Sequence, residues 1–162
     1  MRILGIDPGL NITGYGVLDV DQRKFTVVEA GVIRGGSDRD LSKRLVRLFD
    51  GLNDLVQALK PDAAAIEELY SHYDRPRTAI LMGHARGVLC LAISRAGLPV
   101  HSYSATQIKR VLTGNGRAPK SQVQIAVSTQ LNLKEPPDPP DVADALAAAM
   151  CHHFLCRKVT LT

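Results

Sequence analysis

Five carboxylates in this sequence stand beside apolar residues, where a charged side chain is costly to place. They are Asp7, Glu67, Glu68, Asp141 and Asp144. A carboxylate that loses its hydration in such surroundings costs roughly several kcal/mol unless a positive charge offsets the loss. Three segments that lie far apart in the chain share this feature. If the fold brings them together, a divalent cation is the natural counter-charge, and the pattern indicates a metal-dependent enzyme.

The ligand type suggests which metal such a site would hold and what it would do. Carboxylate oxygens suit hard cations, so we expect Mg²⁺, with Mn²⁺ as the alternative. Two such ions about 3.5 to 4 Å apart can clamp a phosphodiester, activate water for attack and stabilise the leaving oxygen. The sequence has no Walker-type phosphate loop that would indicate a competing chemistry. We therefore expect two ions per site and phosphodiester hydrolysis.

Each acid also has a structural explanation when it is taken singly. Asp7 begins an Asp-Pro-Gly turn, in which its side chain can bond its own backbone. Asp138 and Asp141 suit a helix start, with Asp138 as N-cap and Asp141 in the first turn. Asp144 lies three residues beyond Asp141, so the two carboxylates share one helix face and repel each other. Asp144 therefore has the weakest structural explanation.

The strand that ends in two glutamates leaves the choice between them open. Glu67 and Glu68 point to opposite faces of a strand. The apolar residues before them show no alternation, which favours burial on both faces. The two-residue alternation of a strand therefore does not identify which of the two glutamates faces a site.

A second possible metal site lies near the C-terminus and would hold zinc. Its candidate ligands are Cys151, His152, His153 and Cys156. Their spacing differs from that of zinc fingers and ribbons, and on a helix these side chains spread around the axis. We regard this site as the weaker alternative.

The composition indicates one compact domain over residues 1–162. The chain is 45% hydrophobic, enough for a core built mainly of Ala, Leu, Ile and Val. No segment approaches the roughly 18 consecutive apolar residues of a membrane helix, so we expect no membrane association. Three cysteines are few and odd in number, which is typical of unpaired thiols in a reducing compartment. We therefore expect a cytoplasmic protein.

Hydrophobic patterning predicts an α/β fold in which helices cover one mixed sheet. Strands are predicted at residues 3–7, 13–19, 24–33, 63–68 and 98–103. Helices are predicted from Asp38 or Ser42 to about residue 59, and at 78–96, 104–112, 120–131 and 141–156. Three strands in hairpin order, followed by alternating helices and strands, favour a five-stranded mixed sheet with helices on both faces.

The predicted helix 78–96 is apolar almost all round its circumference. Such a helix must be covered on every side, and in a small domain the sheet covers only one. Gly83 and Gly87 would permit a second helix to approach closely. We therefore expect a symmetric homodimer that forms through this helix, with a central helix sandwiched within one chain as the alternative.

Basic and aromatic residues indicate a nucleic acid as the partner. The net charge is +4, and no acid occurs between Arg75 and Asn132. Four cations flank a Gly-rich loop that suits a phosphate backbone: Lys109, Arg110, Arg117 and Lys120. Tyr70 follows Glu67 closely and is placed to stack on an unpaired base.

Five segments, in order along nearly the whole chain, resemble the RuvC family of Holliday junction resolvases. The Gly-Ile-Asp-Pro-Gly run with the Thr-Gly-Tyr-Gly-Val run is similar to the first strand and hairpin of that family. The Ala-Ile-Glu-Glu run is similar to its second motif, and Gly-His-Ala-Arg-Gly to its dimer helix. The Lys-Ser-Gln-Val run at 120–123 is similar to the exit of the family's basic loop. The Asp-Val-Ala-Asp-Ala-Leu-Ala run at 141–147 is similar to its last motif.

This resemblance implies a fold, an activity and partners. The fold would be RNase H-like, and the protein a homodimeric, Mg²⁺-dependent endonuclease that acts on four-way junction DNA. It would make paired, symmetric nicks in strands of like polarity, leave 5′-phosphates, and work with a RuvA-RuvB branch-migration complex. The chain stops soon after its last predicted helix and lacks the basic tail of some relatives, so contacts made by such a tail are not expected here.

The resemblance also assigns roles to individual residues. It implies that four acids are catalytic and bind the metal: Asp7, Glu67, Asp141 and Asp144. It thereby selects Glu67 over Glu68. Lys109 and Lys120 fall on family positions that contact DNA phosphates, and Tyr70 on an aromatic position near the junction crossover.

Three other functions fit parts of the pattern. One is a different nuclease on the same fold, such as the YqgF-type enzyme of ribosomal RNA processing. Another is an actin-like ATPase or sugar kinase, which needs two related domains where this chain has length for one. The third is a module that binds junctions without cutting them, against which the intact acids count.

Overall fold

In the computed structural model, which describes residues 1–22, 24–69 and 75–159, five strands form one mixed sheet. The strands are β1 (Arg2–Asp7), β2 (Ile12–Asp21), β3 (Lys24–Arg34), β4 (Ala63–Glu67) and β5 (Val100–Tyr103). Their order across the sheet is β3-β2-β1-β4-β5. The first three strands pair antiparallel, whereas β4 runs parallel to both β1 and β5. The predicted mixed sheet is confirmed.

Helices cover both faces of this sheet, as expected from the sequence. They are α1 (Leu41–Leu59), α2 (Pro76–Arg95), α3 (Ala105–Thr113), α4 (Lys120–Gln130) and α5 (Pro140–Val159). Leu4 and Ile6 of β1 point to one face and pack in a core with α1 and α2. Ile3 of the same strand points to the other face, into a core with α3, α4 and α5. Each face of the sheet therefore has its own apolar layer.

Several element ends differ from those predicted by the sequence. Helix α1 has Asp40 as its N-cap, because the Asp40 carboxylate accepts a hydrogen bond of 2.9 Å from the Ser42 backbone N–H. Helix α5 begins at Pro140, so Pro139 rather than Asp138 directly precedes it. The N-cap role expected for Asp138 is therefore wrong, whereas Asp141 does lie in the first turn.

Glycines on β1 and β2 let the backbone of α5 lie directly on the sheet. A Cβ atom placed on Gly5 would lie 1.9 Å from the Ala145 carbonyl oxygen. A Cβ atom on Gly14 would lie 2.1 Å from the Asp141 carbonyl oxygen. Real Cβ atoms do not approach oxygen this closely, so only glycine allows this contact. The contact brings the first turns of α5 against the carboxyl end of β1.

The cysteines and histidines near the C-terminus belong to the fold. Cys151 is buried, and His152 is almost fully buried, with its Nδ1 2.7 Å from the Tyr103 hydroxyl. Burial first, then the charges of His101 and His153, lowers the pKa of His152 to about 4. His153 bonds instead to the carbonyl oxygen of Gln22. Cys156 Sγ lies 3.6 Å from both ring nitrogens of His152, whereas His153 points to a different partner. These contacts within the fold give the residues a structural role.

Among the residues that the structure describes, no helix combines the length and the apolar character needed to cross a membrane.

Candidate functional site

Strands β1 and β4 bring the first two acids together. The two strands are parallel neighbours in register, with Ile6 opposite Ile66, so Asp7 and Glu67 follow at the same edge of the sheet. Asp141 and Asp144 lie in the first turns of α5, which the glycines of β1 and β2 hold against this edge. The charges of the other three acids all act on Asp7. The structure thus gathers four of the five acids that stand out in the sequence, the same four that the resemblance selects.

The structure distinguishes Glu67 from its neighbour Glu68. Glu67 is partly buried and lines a cleft of about 190 Å³ beside α5, whereas Glu68 is exposed to solvent. Glu68 follows the last residue of β4, where the chain leaves the sheet. The residues before these glutamates are buried on both faces, which is why period alone could not choose between them.

Crowding of like charges in a partly dry site disfavours ionisation of two of the acids. Burial, followed by the charges of Glu67, Asp144 and Asp141, raises the pKa of Asp7 to about 8. Burial, followed by the charge of Asp144, raises the pKa of Glu67 to about 7. Lys120 acts in the opposite direction on both carboxyls. Without further cations, the cluster therefore holds protons near neutral pH.

Two lysines share the cleft with the acids. The Lys120 ammonium lies 2.5 Å from a carboxylate oxygen of Asp144. Burial lowers the pKa of Lys120, but the hydrogen bond to Asp144 and the charges of Asp144, Asp7 and Asp141 outweigh this and raise it. Lys109 lines the same cleft and lowers the pKa of Glu67. The remaining lining is mostly apolar: Ala105, Ile108, Val123 and Ala147.

The donor set fits a hard divalent cation. Four carboxylates from three segments supply only oxygen ligands, and their mutual repulsion is relieved by positive charge. In the described part of the chain, no three His, Cys, Asp or Glu side chains already have the spacing of a metal site. The Lys120 ammonium takes up part of the positive charge that the cluster needs. A metal ion bound by these acids would compete with Lys120 for the negative charge of Asp144.

The two arginines assigned to DNA binding, Arg110 and Arg117, do not line the cleft that contains Glu67. Arg110 lines a separate groove with Phe154 and Leu155, and Arg117 is exposed in the loop after α3. Hydrogen bonds within that loop hold its backbone, such as the one from the Arg117 N–H to the Asn115 side-chain oxygen (2.9 Å). Lys109 and Lys120 are thus near the acids, whereas the two arginines lie farther out. Tyr70 falls outside the described residues.

One residue near the site carried no assigned role in the sequence analysis. Arg86 of α2 donates a hydrogen bond of 3.2 Å from Nε to the carbonyl oxygen of Glu67. A second, from Nη2 to the Ser102 hydroxyl, measures 2.8 Å. Arg86 is a cation within an otherwise apolar stretch, and this feature could have marked it as a candidate site residue. No pattern in the sequence, however, identifies the groups to which it bonds.

We expect Asp7 to make the metal-free protein less stable as the pH rises. Its pKa is about 8 in the folded state and about 4 when unfolded, so the folded state binds the extra proton between these values. The contribution of Asp7 to the free energy of unfolding is therefore largest below about pH 4. It is lost progressively as the pH rises towards 8. Asp7→Asn should remove this loss and raise the free energy of unfolding at pH 8 by up to about 5 kcal/mol over wild type, since each pKa unit corresponds to about 1.4 kcal/mol.

Urea unfolding in a chelator at pH 5 and pH 8 measures this effect. His152 and other groups that do not interact with Asp7 act equally in both proteins, so the difference between them reports Asp7 together with its coupling to the neighbouring acids. The same pH dependence in wild type and variant would contradict the crowding of acids described above.

Comparison with known proteins places the chain among described relatives. The family model for crossover junction endodeoxyribonuclease RuvC matches residues 3–152. A protein of that name from Rhodopirellula baltica is 55% identical over 156 residues, which cover 96% of this chain and 88% of the relative.

Two solved structures from Thermus thermophilus share the fold at 34% sequence identity. The structure of RuvC gives a TM-score of 0.90 and covers 99% of this chain and 98% of that one. The structure of RuvC in complex with a Holliday junction substrate gives a TM-score of 0.92, and the match covers 99% of this chain and 97% of that one. The fold is therefore RNase H-like, as the sequence resemblance implied.

Proposed function

Because the chain belongs to the RuvC family of crossover junction endodeoxyribonucleases, we propose that it resolves four-way DNA junctions by hydrolysing phosphodiester bonds. The observation that carries this proposal is the convergence of four acids from three segments, two of which, Glu67 and Asp144, line one cleft with two lysines. The acids suit metal-assisted hydrolysis and the lysines suit a phosphate backbone. A RuvC of similar fold has been solved with a Holliday junction substrate, which supports the same substrate here.

The RuvC family consists of metal-dependent nucleases, and we propose Mg²⁺, with Mn²⁺ as a substitute, as the ion used here. Asp7, Glu67, Asp141 and Asp144 would hold it, with two ions per site. Bound there, the metal would activate water and stabilise the leaving oxygen, giving a 5′-phosphate product. Asp7 and Glu67 must lose their protons before they serve as ligands.

The lysines would guide the DNA backbone to the acids. Lys109 lines the cleft, and the Lys120 ammonium lies at its acidic side. A phosphate group that enters the cleft offers Lys120 a new partner, which would free the Asp144 carboxylate for the metal. Arg110, Arg117 and Tyr70 would contact the junction farther from the cleaved bond.

The test compares three substrates: a synthetic four-way junction, a linear duplex of the same sequence and single-stranded RNA. We expect paired, symmetric cuts in the junction alone, and no cutting once a chelator has removed divalent metal. Equal cutting of all three substrates would refute junction selectivity, and preferential cutting of RNA would favour an RNA-processing nuclease. Tight junction binding without metal-dependent cutting would favour a non-cleaving module.

We propose that the protein works as a homodimer through the outward face of α2. Ala85 and Leu89 face the sheet and are fully buried, as expected for a helix covered on one side. On the opposite face, Ile80 and Leu91 are 63% and 52% exposed. Added Cβ atoms on Gly83 and Gly87 would meet no atom within 4 Å. A second copy of α2 can therefore pack closely against this face.

Leu91→Glu is expected to weaken dimerisation by about a hundredfold, because it places a charge in the apolar centre of that face. Sedimentation equilibrium of wild type and variant would give the two dissociation constants. Val46→Glu is the matched control, since Val46 on α1 is 56% exposed and lies outside the proposed interface. A similar loss of dimer in both variants, or in neither, would contradict this interface.

A dimer would account for the paired, symmetric cuts that we propose. Two sites related by a two-fold axis would nick two equivalent strands of like polarity in a junction that is itself nearly two-fold symmetric. We further propose that the protein acts with a RuvA-RuvB branch-migration complex, the partner that the sequence resemblance implies. We propose a cytoplasmic location, because three cysteines suit a reducing compartment.

A further inference from the structure

Arg86 connects the helix of the proposed dimer face to the strand end that carries Glu67. Its Nε donates to the Glu67 carbonyl oxygen at 3.2 Å, and its Nη2 donates to the Ser102 hydroxyl at 2.8 Å. We propose that Arg86 is a positioning residue, which holds Glu67 at the metal site by fixing its backbone. This inference rests on the proposed role of Glu67 as a metal ligand.

Glu67 needs such support because the sheet ends there. It is the last residue of β4, and the paired positions of β1 and β4 end one residue earlier, at Ile6 and Ile66. On the other side, the Glu68 N–H donates to the Tyr103 carbonyl oxygen at 2.9 Å. The peptide group between Glu67 and Glu68 is therefore held at both polar atoms, by Arg86 at the oxygen and by β5 at the nitrogen. Removal of Arg86 would break the hydrogen bond at the oxygen and leave only the one at the nitrogen.

The guanidinium group is suited to this task. Arginine presents several N–H donors in a rigid, planar fork, so one side chain can bond two acceptors on neighbouring strands. Glu67 lies on β4 and Ser102 on β5, and Arg86 bridges the ends of both. The side chain is partly buried, with two of its donors engaged by the protein. These contacts favour a structural hold on the site over a primary contact with DNA phosphate.

The location of Arg86 on α2 gives the contact a second consequence. Arg86 follows the buried Ala85, which faces the sheet, and precedes the exposed Gly87 on the proposed dimer face. If α2 shifts when the proposed dimer forms, the Arg86 side chain would pass that shift directly to the Glu67 carbonyl. Small errors in the placement of a metal ligand have large effects on rate, because the productive geometry tolerates only about 0.5 Å.

The experiment uses the full chain with Arg86→Ala and Arg86→Lys. At saturating junction, we expect Arg86→Ala to lower the single-turnover cleavage rate by about ten- to a hundredfold, with the junction dissociation constant changed less than about threefold. In the DNA-free protein, calorimetric titration should show at least about threefold weaker Mn²⁺ binding. Arg86→Lys should recover part of both losses, since lysine supplies a donor without the fork.

Two further variants separate positioning from general effects. Arg95→Ala removes a positive charge from the same helix, where Arg95 lies over the Phe49 ring, and should match wild type in both measurements. Ser102→Ala removes one of the two hydrogen bonds and should reduce cleavage modestly, with no further loss when combined with Arg86→Ala. If Arg86→Ala fails to fold, Arg86→Lys and Ser102→Ala carry the test.

Three outcomes would overturn the inference. They are wild-type cleavage and Mn²⁺ affinity in Arg86→Ala, a defect confined to junction affinity, and an equal loss in Arg95→Ala. Glu67→Gln separates this result from a failure of the proposed function. If wild type does not cut junctions, the function fails, and if Glu67→Gln cuts normally, the role of Glu67 fails. When wild type cuts junctions and Glu67→Gln is inactive, any of the three outcomes rejects the role of Arg86 alone.

Discussion

Asp7→Asn is expected to lower junction cleavage by at least about a thousandfold while junction binding changes less than about threefold. Asparagine keeps the shape of the side chain but removes the charge that a divalent cation requires. Asp7 is the acid on which the charges of Glu67, Asp141 and Asp144 all act, so it lies at the centre of the cluster. Single-turnover cleavage of a labelled junction gives the rate, and a gel-shift titration gives the affinity.

The matched control for this variant is Glu68→Gln. It removes a carboxylate from an exposed residue next to Glu67 and changes the net charge by the same amount. We expect cleavage within about twofold of wild type, as is usual for a surface substitution. Undiminished nicking by Asp7→Asn, or equal damage from both variants, would contradict the metal assignment.

Gly5→Ala is expected to destabilise the fold by about 3 kcal/mol or more. The new methyl group would lie 1.9 Å from the Ala145 carbonyl oxygen and 2.9 Å from the Ala149 Cβ. The nearest atom belongs to the backbone of α5, so no change of side-chain rotamer relieves the clash and the whole helix must move. Because α5 carries Asp141 and Asp144, cleavage should fall together with stability. Urea unfolding and the junction assay measure the two effects.

Gly31→Ala provides the comparison for Gly5→Ala. Gly31 also lies in the sheet, on β3, and a methyl group there would meet the side chain of Tyr15 at 3.0 Å. A side chain can shift by a few tenths of an ångström, so we expect a loss of less than about 1 kcal/mol. If Gly5→Ala were as mild as Gly31→Ala, the direct seating of α5 on the sheet would be wrong.

The sheet and its helices could be predicted because their signals are local. Buried strands such as β1 and β4 are short apolar runs bounded by turns, and α3 begins with the capping pair Ser104 and Gln107. Element ends were less predictable, as α1 shows: Asp40, rather than Asp38 or Ser42, is the N-cap. Several polar residues competed for that role, and only the backbone geometry selects one.

The candidate site was predictable in its residue types but not in its contacts. The acids stood out because charges are rare beside apolar runs. The contact of Lys120 with Asp144, however, joins two helices whose packing depends on the whole fold. The bond from Arg86 to the Glu67 carbonyl is hidden for another reason: any residue could supply that carbonyl. The glycines likewise give no hint of which backbone approaches them.

The position of α5 in the chain sets the order in which the enzyme can form during synthesis. Strand β1 with Asp7 emerges from the ribosome well before α5, which carries two of the acids and helps to cover one apolar face of the sheet. Until α5 has emerged, the nascent chain carries an incompletely covered sheet face and lacks two of the four clustered acids. We expect the growing polypeptide to be inactive on DNA and dependent on chaperone protection through most of its synthesis.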